Sequence, residues 1–228
     1  MHCAVIVFPG SNCDSDLFKA ISEFDGVEVE YIWYTSKSLK GFELILLPGG
    51  FAYGDYLRAG ALAARAPVLQ ALIQAADEGV KVIGICNGFQ VLTECGLLPG
   101  ALQRNSKLHF ICDTPRIEVV QVNSLFSSRY QEGELIRLPI AHGEGNYICD
   151  ELTLLHLQAE NRIVFRYASG SNPNGSLDNI AGILNQRGNV LGMMPHPERA
   201  MADWMGTSDG RRLFESVLSL YPKNDNVA

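Results

Sequence analysis

The sequence lacks the features that mark membrane, secreted and nucleic-acid-binding proteins. No apolar run approaches the ~18 residues that a membrane-spanning helix needs. No basic flank precedes the short run at Cys3–Phe8, which favours a first strand over a signal peptide. There is no Lys/Arg-rich block, and 18 Lys+Arg against 25 Asp+Glu give a net charge of −7. We therefore expect a cytoplasmic protein that binds neither membranes nor nucleic acid.

Motifs for a metal, a disulfide framework or a nucleotide are also missing. None of the six cysteines forms a Cys-x-x-Cys pair, so the sequence predicts no zinc site, and cytoplasmic thiols stay reduced. The glycine turn at Phe8–Asn12 lacks both the Gly-x-Gly-x-x-Gly spacing of dinucleotide sites and the lysine of phosphate loops. We expect this chain to hold neither a metal nor a cofactor.

The first 95 residues alternate short apolar runs with helical spacing. With 228 residues and 47% hydrophobic content, the chain can bury a core without cross-links, and we predict one domain over residues 1–228. The alternation predicts an α/β fold, a doubly wound and mostly parallel sheet with flanking helices of the flavodoxin-like type. The predicted strands are Cys3–Phe8, Val27–Trp33, Leu44–Leu47 and Lys81–Ile85, and the predicted helices are Asp14–Phe24 and Ala59–Glu78.

The second half of the chain reads differently, as strands with few helices between them. We predict extra antiparallel strands that either extend the sheet or cover one side of it. A final helix is predicted at Thr207–Leu220, with Ser208 or Asp209 as its N-cap, and a loose tail at Lys223–Ala228. The predicted strands are Lys107–Asp113, Arg116–Val122, Leu135–Ala141, Arg162–Tyr167, Asp178–Leu184 and Val190–Met194.

One cysteine differs from the other five. In the run KVIGICNGFQ, a strand leads directly into Gly84-Ile85-Cys86-Asn87-Gly88 and then into a helix. Small residues two before and two after Cys86 allow the sharp strand-to-helix turn of a nucleophile elbow. That turn lifts the sulfur at the carboxyl end of the sheet and places it at a helix N-terminus, which favours a thiolate. Cys86 is therefore the predicted nucleophile.

The predicted base is His196, in the segment Met194-Pro195-His196-Pro197-Glu198 that follows an apolar strand. In an extended, proline-flanked turn, side chains two apart lie on one side, so Glu198 can orient the imidazole and stabilise its charged form. His142, in a glycine-rich segment, is the rival base or a contact residue. The other histidines are interpreted as structural.

Paired glycines follow the third strand, at Leu47-Pro48-Gly49-Gly50-Phe51. They expose backbone N–H groups at the strand end. Together with the N–H of Asn87, the N–H of Gly50 can form a two-donor oxyanion hole, each donor of which changes the rate by roughly 100- to 1,000-fold.

In these motifs the chain resembles the class I, or triad, glutamine amidotransferases. The family elbow Gly-x-Cys-x-Gly-x-Gln is matched by Gly84, Cys86, Gly88 and Gln90, and the downstream pair by His196 and Glu198. The resemblance implies that Cys86 attacks the side-chain amide of glutamine and that His196, oriented by Glu198, protonates the departing ammonia. It also implies that Gln90 helps to bind the substrate glutamine.

Accessory segments narrow the resemblance to the members that serve the fourth step of purine synthesis. They are Pro48–Gly60, Pro139–Tyr147, Asn172–Ser176 with Ile180–Ile183, and Met194–Arg199. This resemblance implies a separate synthetase subunit that uses ATP and Mg²⁺ and receives the ammonia, together with a small third subunit. We predict that Tyr53–Arg58 and His142–Tyr147 lie toward that partner, because thiol chemistry needs neither.

Three other functions remain open at this point. The chain is alternatively a glutaminase that feeds a different acceptor, such as a nucleotide or chorismate, since the triad does not distinguish acceptors. A cysteine peptidase or γ-glutamyl hydrolase of related fold is a second possibility, and a catalytically silent binding subunit is a third.

Overall fold

The computed structural model describes residues 1–218, and the predicted tail at Lys223–Ala228 lies outside them. Thirteen strands and five α-helices fall within the described residues. The strands are His2–Val7 (β1), Glu28–Trp33 (β2), Leu44–Leu47 (β3), Lys81–Ile85 (β4), Ala101–Gln103 (β5), Ile111–Asp113 (β6), Arg116–Val119 (β7), Leu135–Arg137 (β8), Ile140–His142 (β9), Asn146–Ile148 (β10), Ile163–Tyr167 (β11), Ile180–Leu184 (β12) and Val190–Met193 (β13). The helices are Asp14–Ser22 (α1), Val68–Asp77 (α2), Asn87–Glu94 (α3), Glu151–Ala159 (α4) and Arg211–Leu218 (α5).

The parallel half of the main sheet combines the four predicted N-terminal strands with one late strand. Its order is β2-β1-β3-β4-β13, and each neighbouring pair is parallel. Residues on both faces of β3, β4 and β13 are buried, as the continuous apolar runs require. β2 is half-exposed and lies at the edge. The predicted α/β class and flavodoxin-like strand order are confirmed.

The antiparallel strands extend this sheet beyond β13. Of the two predicted arrangements, extension of the sheet is therefore the one observed, rather than strands that cover one side of it. β12, β11, β7 and β8 follow in that order, and each neighbouring pair is antiparallel. Two small antiparallel pairs, β10 with β5 and β6 with β9, lie outside the main sheet. The predicted strand Leu135–Ala141 is wrong as one element: it divides into β8 and β9 around Pro139, because proline has no N–H for the ladder.

Two helix predictions need correction, and a third helix has no counterpart among the predictions. α2 begins only at Val68, and residues 59–67 form turns with a short 3₁₀ turn at Ala63–Arg65, because Pro67 keeps Ala66 in an extended conformation. α5 begins at Arg211, so Ser208 and Asp209 precede it and do not cap it. α4 has no counterpart in the sequence prediction: two of its leucines are exposed and only Leu157 is buried, so the apolar residues show no single face. No helix among residues 1–218 has both the length and the apolar character to cross a membrane.

Candidate active site

The carboxyl ends of four parallel strands meet at one edge of the sheet. β1 leads into the Gly10 turn, β3 into Gly49 and Gly50, β4 into Cys86, and β13 into the turn that carries His196. Because β4 and β13 are parallel neighbours, with Ile85 in register with Met193, they bring the two predicted catalytic side chains together. Open α/β sheets bind their ligands at this edge.

Cys86 has a backbone conformation that few non-glycine residues adopt. Its φ is 51° and its ψ is −105°, between the end of β4 and the start of α3. Its N–H donates to the Met193 carbonyl at 2.8 Å, and its Sγ donates to the Ala141 carbonyl at 3.8 Å. Such strained conformations cost about 1–3 kcal/mol and concentrate at functional sites. The predicted nucleophile elbow is therefore present in the structure.

The base and its orienting carboxylate are both buried. His196 Nδ1 lies 2.6 Å from Glu198 Oε1. A 3₁₀ turn over Pro197–Arg199 brings them together, rather than the predicted extended chain. Among the described residues, His196 Nε2 has no hydrogen-bond partner, so this nitrogen is free to exchange a proton with a reacting group. Burial by itself lowers the pKa of His196, but the charges of Glu198 and Cys86 raise it above its ordinary value.

Gly49 packs between the nucleophile and the base. A Cβ built there would lie 2.6 Å from His196 Cε1 and 3.4 Å from Cys86 Cβ. Only glycine therefore leaves room for the imidazole to approach the elbow. The paired-glycine motif thus serves the triad as well as the oxyanion loop.

The N–H of Gly50, in the loop after β3, has no acceptor among residues 1–218. The Phe51 N–H donates to the Gly10 carbonyl, and the Ala52 N–H donates to Asn87 Oδ1. The hydrogen bonds of residues 1–218 leave the N–H of Gly50 unused. Asn87 is the first residue of α3, so its own N–H has no carbonyl partner within the helix. Both N–H groups are therefore available to a ligand, and their role as oxyanion donors stays a prediction.

A cavity of about 220 Å³ opens in front of Cys86. This is below the roughly 300–1,000 Å³ of pockets for drug-sized ligands, which points to a small substrate. Burial and the nearby Glu144 raise the pKa of the Asp55 carboxyl in this cavity to about 6. The lining residues are Gly50, Phe51, Asp55, Cys86, Gln90, Arg104, Leu108, His109, Phe110, Ala141, His142, Gly143 and Glu144.

A family model of the CobB/CobQ-like glutamine amidotransferase domain matches residues 1–218. The chain belongs to this glutamine amidotransferase family. The family resemblance read from the motifs is thereby confirmed.

Solved structures agree with this assignment of the amidotransferase. A chain of the PurLQS structure from Thermotoga maritima is 44% identical, with a TM-score of 0.87, and the match covers 96% of this chain and 98% of that one. Two more distant matches show the fold alone. A candidate GMP synthase component from Thermoplasma acidophilum is 16% identical over 96% and 94% of the chains, with a TM-score of 0.63. A glutamine amidotransferase from Thermotoga maritima is 18% identical over 95% and 90%, with a TM-score of 0.59.

The side chain of Gln90, the predicted substrate-binding residue of this amidotransferase, is buried and lines the cavity. Its Oε1 accepts from Asn87 Nδ2 at 2.9 Å, and its Nε2 donates to the Glu144 carbonyl at 2.6 Å. Both ends of the amide therefore contact the protein itself. Its contact with substrate stays a prediction.

His142, the rival base, is held by amides rather than by a carboxylate. Its Nδ1 lies 3.1 Å from Asn105 Oδ1, and its Nε2 lies 3.5 Å from Asn174 Nδ2. Burial and the charge of His196 lower the pKa of His142 to about 4. A neutral imidazole with both nitrogens occupied shapes the cavity wall, and of the two candidate bases it is His196 that contacts a glutamate.

Sequence reasoning misses part of the cavity wall. Residues 104–110 line it through Arg104, Leu108, His109 and Phe110, whereas the sequence pattern predicts a strand over most of this segment and a structural role for His109. Asp55 lies inside one of the accessory segments, Pro48–Gly60, so its position is recoverable from the sequence.

Three potential metal ligands lie next to one another at the triad. One ligand atom each of Cys13, His196 and Glu198 falls within 4.8 Å of the others. However, burial raises the pKa of the Cys13 thiol to about 12, and the Arg199 guanidinium donates to its Sγ at 3.2 Å. A protonated thiol beside a cation is a poor metal ligand. The cluster is better explained by the His196–Glu198 hydrogen bond.

Proposed function

We propose that this chain hydrolyses glutamine to glutamate and ammonia and delivers the ammonia to a separate synthetase. That synthetase would convert formylglycinamide ribonucleotide to formylglycinamidine ribonucleotide in purine synthesis, as the glutaminase subunit of phosphoribosylformylglycinamidine synthase does. The observation that carries the glutaminase proposal is the strained Cys86 beside the buried His196–Glu198 pair. The 44% identity to a chain of PurLQS supports the choice of acceptor.

Each step of the proposed reaction has a group in place. Cys86 gives its thiol proton to His196 Nε2 while its Sγ attacks the side-chain amide carbon of glutamine, and the N–H groups of Gly50 and Asn87 stabilise the tetrahedral oxyanion. His196 protonates the amide nitrogen, so that ammonia leaves and a γ-glutamyl thioester remains. His196 then takes a proton from water, which attacks the thioester, releases glutamate and restores the thiol. The raised pKa of His196 suits a group that carries a proton to the leaving nitrogen.

The size and charge of the cavity suit a free amino acid. At about 220 Å³, it is small for the side chain and flanking backbone of a peptide. Its lining includes Asp55 and Glu144 as acids and Arg104 as a base, which match the two charges of an amino-acid zwitterion. These features favour glutamine over the substrate of a cysteine peptidase.

The rim of the cavity supports a protein partner that covers it. Tyr56, Leu57 and Leu108 are 75%, 83% and 77% exposed, and Phe51 and Phe110 are half-exposed beside them. The prediction that Tyr53–Arg58 lies toward a partner therefore stands as part of the proposal. The side chains of His142 and Tyr147 are buried, and the orientation of the segment His142–Tyr147 toward the partner stays a prediction. ATP and Mg²⁺ would act in the synthetase, and a small third subunit completes the proposed complex.

The test measures glutamate and ammonia release from glutamine by the purified chain, alone and with the synthetase, the small subunit, ATP, Mg²⁺ and formylglycinamide ribonucleotide. We expect activity that rises with the complete mixture and is lost in Cys86→Ser. Glu198→Gln should lower kcat by on the order of 10³- to 10⁴-fold, because the imidazole loses its orienting charge. Full activity in Cys86→Ser would remove the nucleophile assignment. Glutaminase activity that responds to a different acceptor would remove only the purine assignment.

A further inference from the structure

Two buried amide side chains form a continuous bridge behind the active-site cavity. Asn87 and Gln90 lie three residues apart on α3, on the same side of the helix. Asn87 Nδ2 donates to Gln90 Oε1 at 2.9 Å, and both residues are buried. The other polar atom of each amide bonds to a loop that lines the cavity: Asn87 Oδ1 bonds to the loop after β3, and Gln90 Nε2 bonds to the Gly143–Gly145 loop.

The Asn87 end of the bridge holds the oxyanion loop. Asn87 Oδ1 accepts from the Ala52 N–H at 3.1 Å, and Ala52 is buried. This is a tie between that loop and α3 just two residues after Gly50. Because the Asn87 N–H starts the same helix, the side chain fixes the distance between the two oxyanion donors.

The Gln90 end holds the opposite wall. Gln90 Nε2 donates to the Glu144 carbonyl at 2.6 Å. The Glu144 carboxylate then accepts from the Ala59 N–H at 3.2 Å, so the Gly143–Gly145 loop is tied to both α3 and the turn before α2. Gly143 and Glu144 of this wall line the cavity together with Asp55 and Arg104.

We propose that Asn87 and Gln90 are positioning residues with separate tasks: the Asn87 side chain sets the oxyanion donors, and the Gln90 side chain sets the substrate-binding wall. The inference rests on the proposed glutaminase function and adds to it. Loss of the Asn87 side-chain hydrogen bonds should lower kcat, because the transition state is less stabilised. Loss of the Gln90 side-chain hydrogen bonds should raise KM, because substrate binding is weakened. If the two side chains only stabilised the fold, the two variants would not change kcat alone in one case and KM alone in the other.

The first variant is Asn87→Leu, which keeps the volume and the backbone N–H but leaves the Ala52 N–H without its acceptor. We expect kcat for glutamine to fall on the order of 100-fold, the effect of a small misplacement of reacting groups, with KM within about threefold of wild type. Acylation of Cys86 by p-nitrophenyl acetate, which needs an oxyanion hole but no glutamine, should slow similarly. Alkylation of Cys86 by iodoacetamide forms no oxyanion and should keep its wild-type rate.

The second variant is Gln90→Met, which removes the tie to the Glu144 carbonyl and the acceptor of Asn87 Nδ2 but leaves the hydrogen bond from the Ala52 N–H to Asn87 Oδ1 in place. We expect KM for glutamine to rise about tenfold, the equivalent of one hydrogen bond, with kcat and both Cys86 reactions unchanged. Asn189→Leu is the matched control. Asn189 is a buried amide that donates to the Ala76 and Val80 carbonyls at the amino end of β13, so its loss should lower stability without changing kcat or KM.

The outcomes separate this inference from the proposed function. Wild-type kcat and ester acylation in Asn87→Leu, or equal changes of kcat and KM in both bridge variants, would overturn the inference and leave the glutaminase intact. A wild-type chain without glutaminase activity in the complete mixture would overturn the proposed function. In that case the ester and iodoacetamide reactions still test the oxyanion role of Asn87.

Discussion

At the scale of single residues, two buried histidines have opposite electrostatic surroundings. His196 faces the carboxylate of Glu198 and the sulfur of Cys86, which raise its pKa. His142 contacts neutral amides and lies near His196, so burial and that charge lower its pKa to about 4. The same side chain is therefore a charged proton donor in one position and a neutral part of the wall in the other.

His142 should make the protein less stable in acid. Its pKa is 6.5 in the unfolded chain and about 4 in the folded one, so the unfolded state binds more protons between these values. Stability therefore falls as the pH drops through this window, by on the order of 3 kcal/mol in all. His142→Gln should remove this component from the free energy of unfolding, measured in urea from pH 4.5 to 7.5. The exposed His156→Gln is the control, and an unchanged pH slope in His142→Gln would contradict the prediction.

At the scale of elements, the turn from β4 into α3 depends on close backbone packing. The Cβ of any residue at position 88 would collide with the Leu47 carbonyl of β3, and one at position 84 would lie 2.5 Å from Leu92 Cδ1. The glycines flanking Cys86 therefore permit more than a sharp turn. They let α3 lie directly on the sheet, which fixes the helix N-terminus beneath the sulfur.

Gly88→Ala should consequently disturb the elbow. We expect the free energy of unfolding to fall by about 1–3 kcal/mol from overpacking and the rate of Cys86 alkylation by iodoacetamide to change, because the helix must shift. Gly143→Ala is the control, since its Cβ would meet only Phe110 Cδ2 at 3.8 Å. Equal unfolding midpoints for Gly88→Ala and wild type would refute the packing argument.

The elements that sequence analysis predicts are those whose signals are local. The strands β1 to β4 are continuous or alternating apolar runs, and the Cys86 elbow and the His196–Glu198 pair lie within short motifs. The start of α5 depends instead on distant packing, because Gly210 lies against the Pro197 backbone. The start of α2 is set by Pro67, a local signal that the helical spacing of apolar residues over 59–78 conceals.

The hydrogen bonds that join Asn87 and Gln90 to the cavity loops also depend on contacts that are distant in sequence, so the sequence does not predict them. The sequence singles out Asn87 for its backbone N–H as an oxyanion donor, and the family resemblance singles out Gln90 as a substrate-binding residue. Their loop partners, however, come from positions 52 and 144, which no spacing rule relates to α3. In α4 the opposite occurs: Asp150 accepts from the Thr153 N–H at 2.7 Å as an N-cap, a local signal that outweighs the absence of an apolar face.

At the scale of the whole molecule, the net charge of −7 contrasts with an apolar rim around the cavity. A net charge far from zero opposes non-specific association, whereas patches of exposed apolar side chains mark interaction sites. The rim is also where the backbone is strained, since Tyr53, Asp55 and Leu57 all have positive φ. The strain and the exposure coincide at the surface that we assign to the partner.

Leu57→Asp should separate partner binding from chemistry. Leu57 has a φ of 70°, and aspartate tolerates this conformation better than leucine, so the fold should be retained. We expect basal glutaminase activity within about twofold of wild type and loss of about tenfold or more in affinity for the synthetase, as for an interface hot spot. Titration of the synthetase against ammonia release measures this. Leu152→Asp on α4, also exposed, is the control, and equal behaviour of the two variants would place the partner elsewhere.

The parallel pairing of β4 with β13 has a consequence for the synthesis of the chain. Cys86 and His196 are more than a hundred residues apart in sequence, and β13 inserts beside β4 only after every intervening strand has been made. Long-range pairings of this kind form late in folding. A nascent or truncated chain therefore carries Cys86 without His196, and the proposed glutamine hydrolysis requires β13 to lie beside β4. Recovery of that activity on refolding would thus report the pairing of these two strands rather than the formation of any local motif.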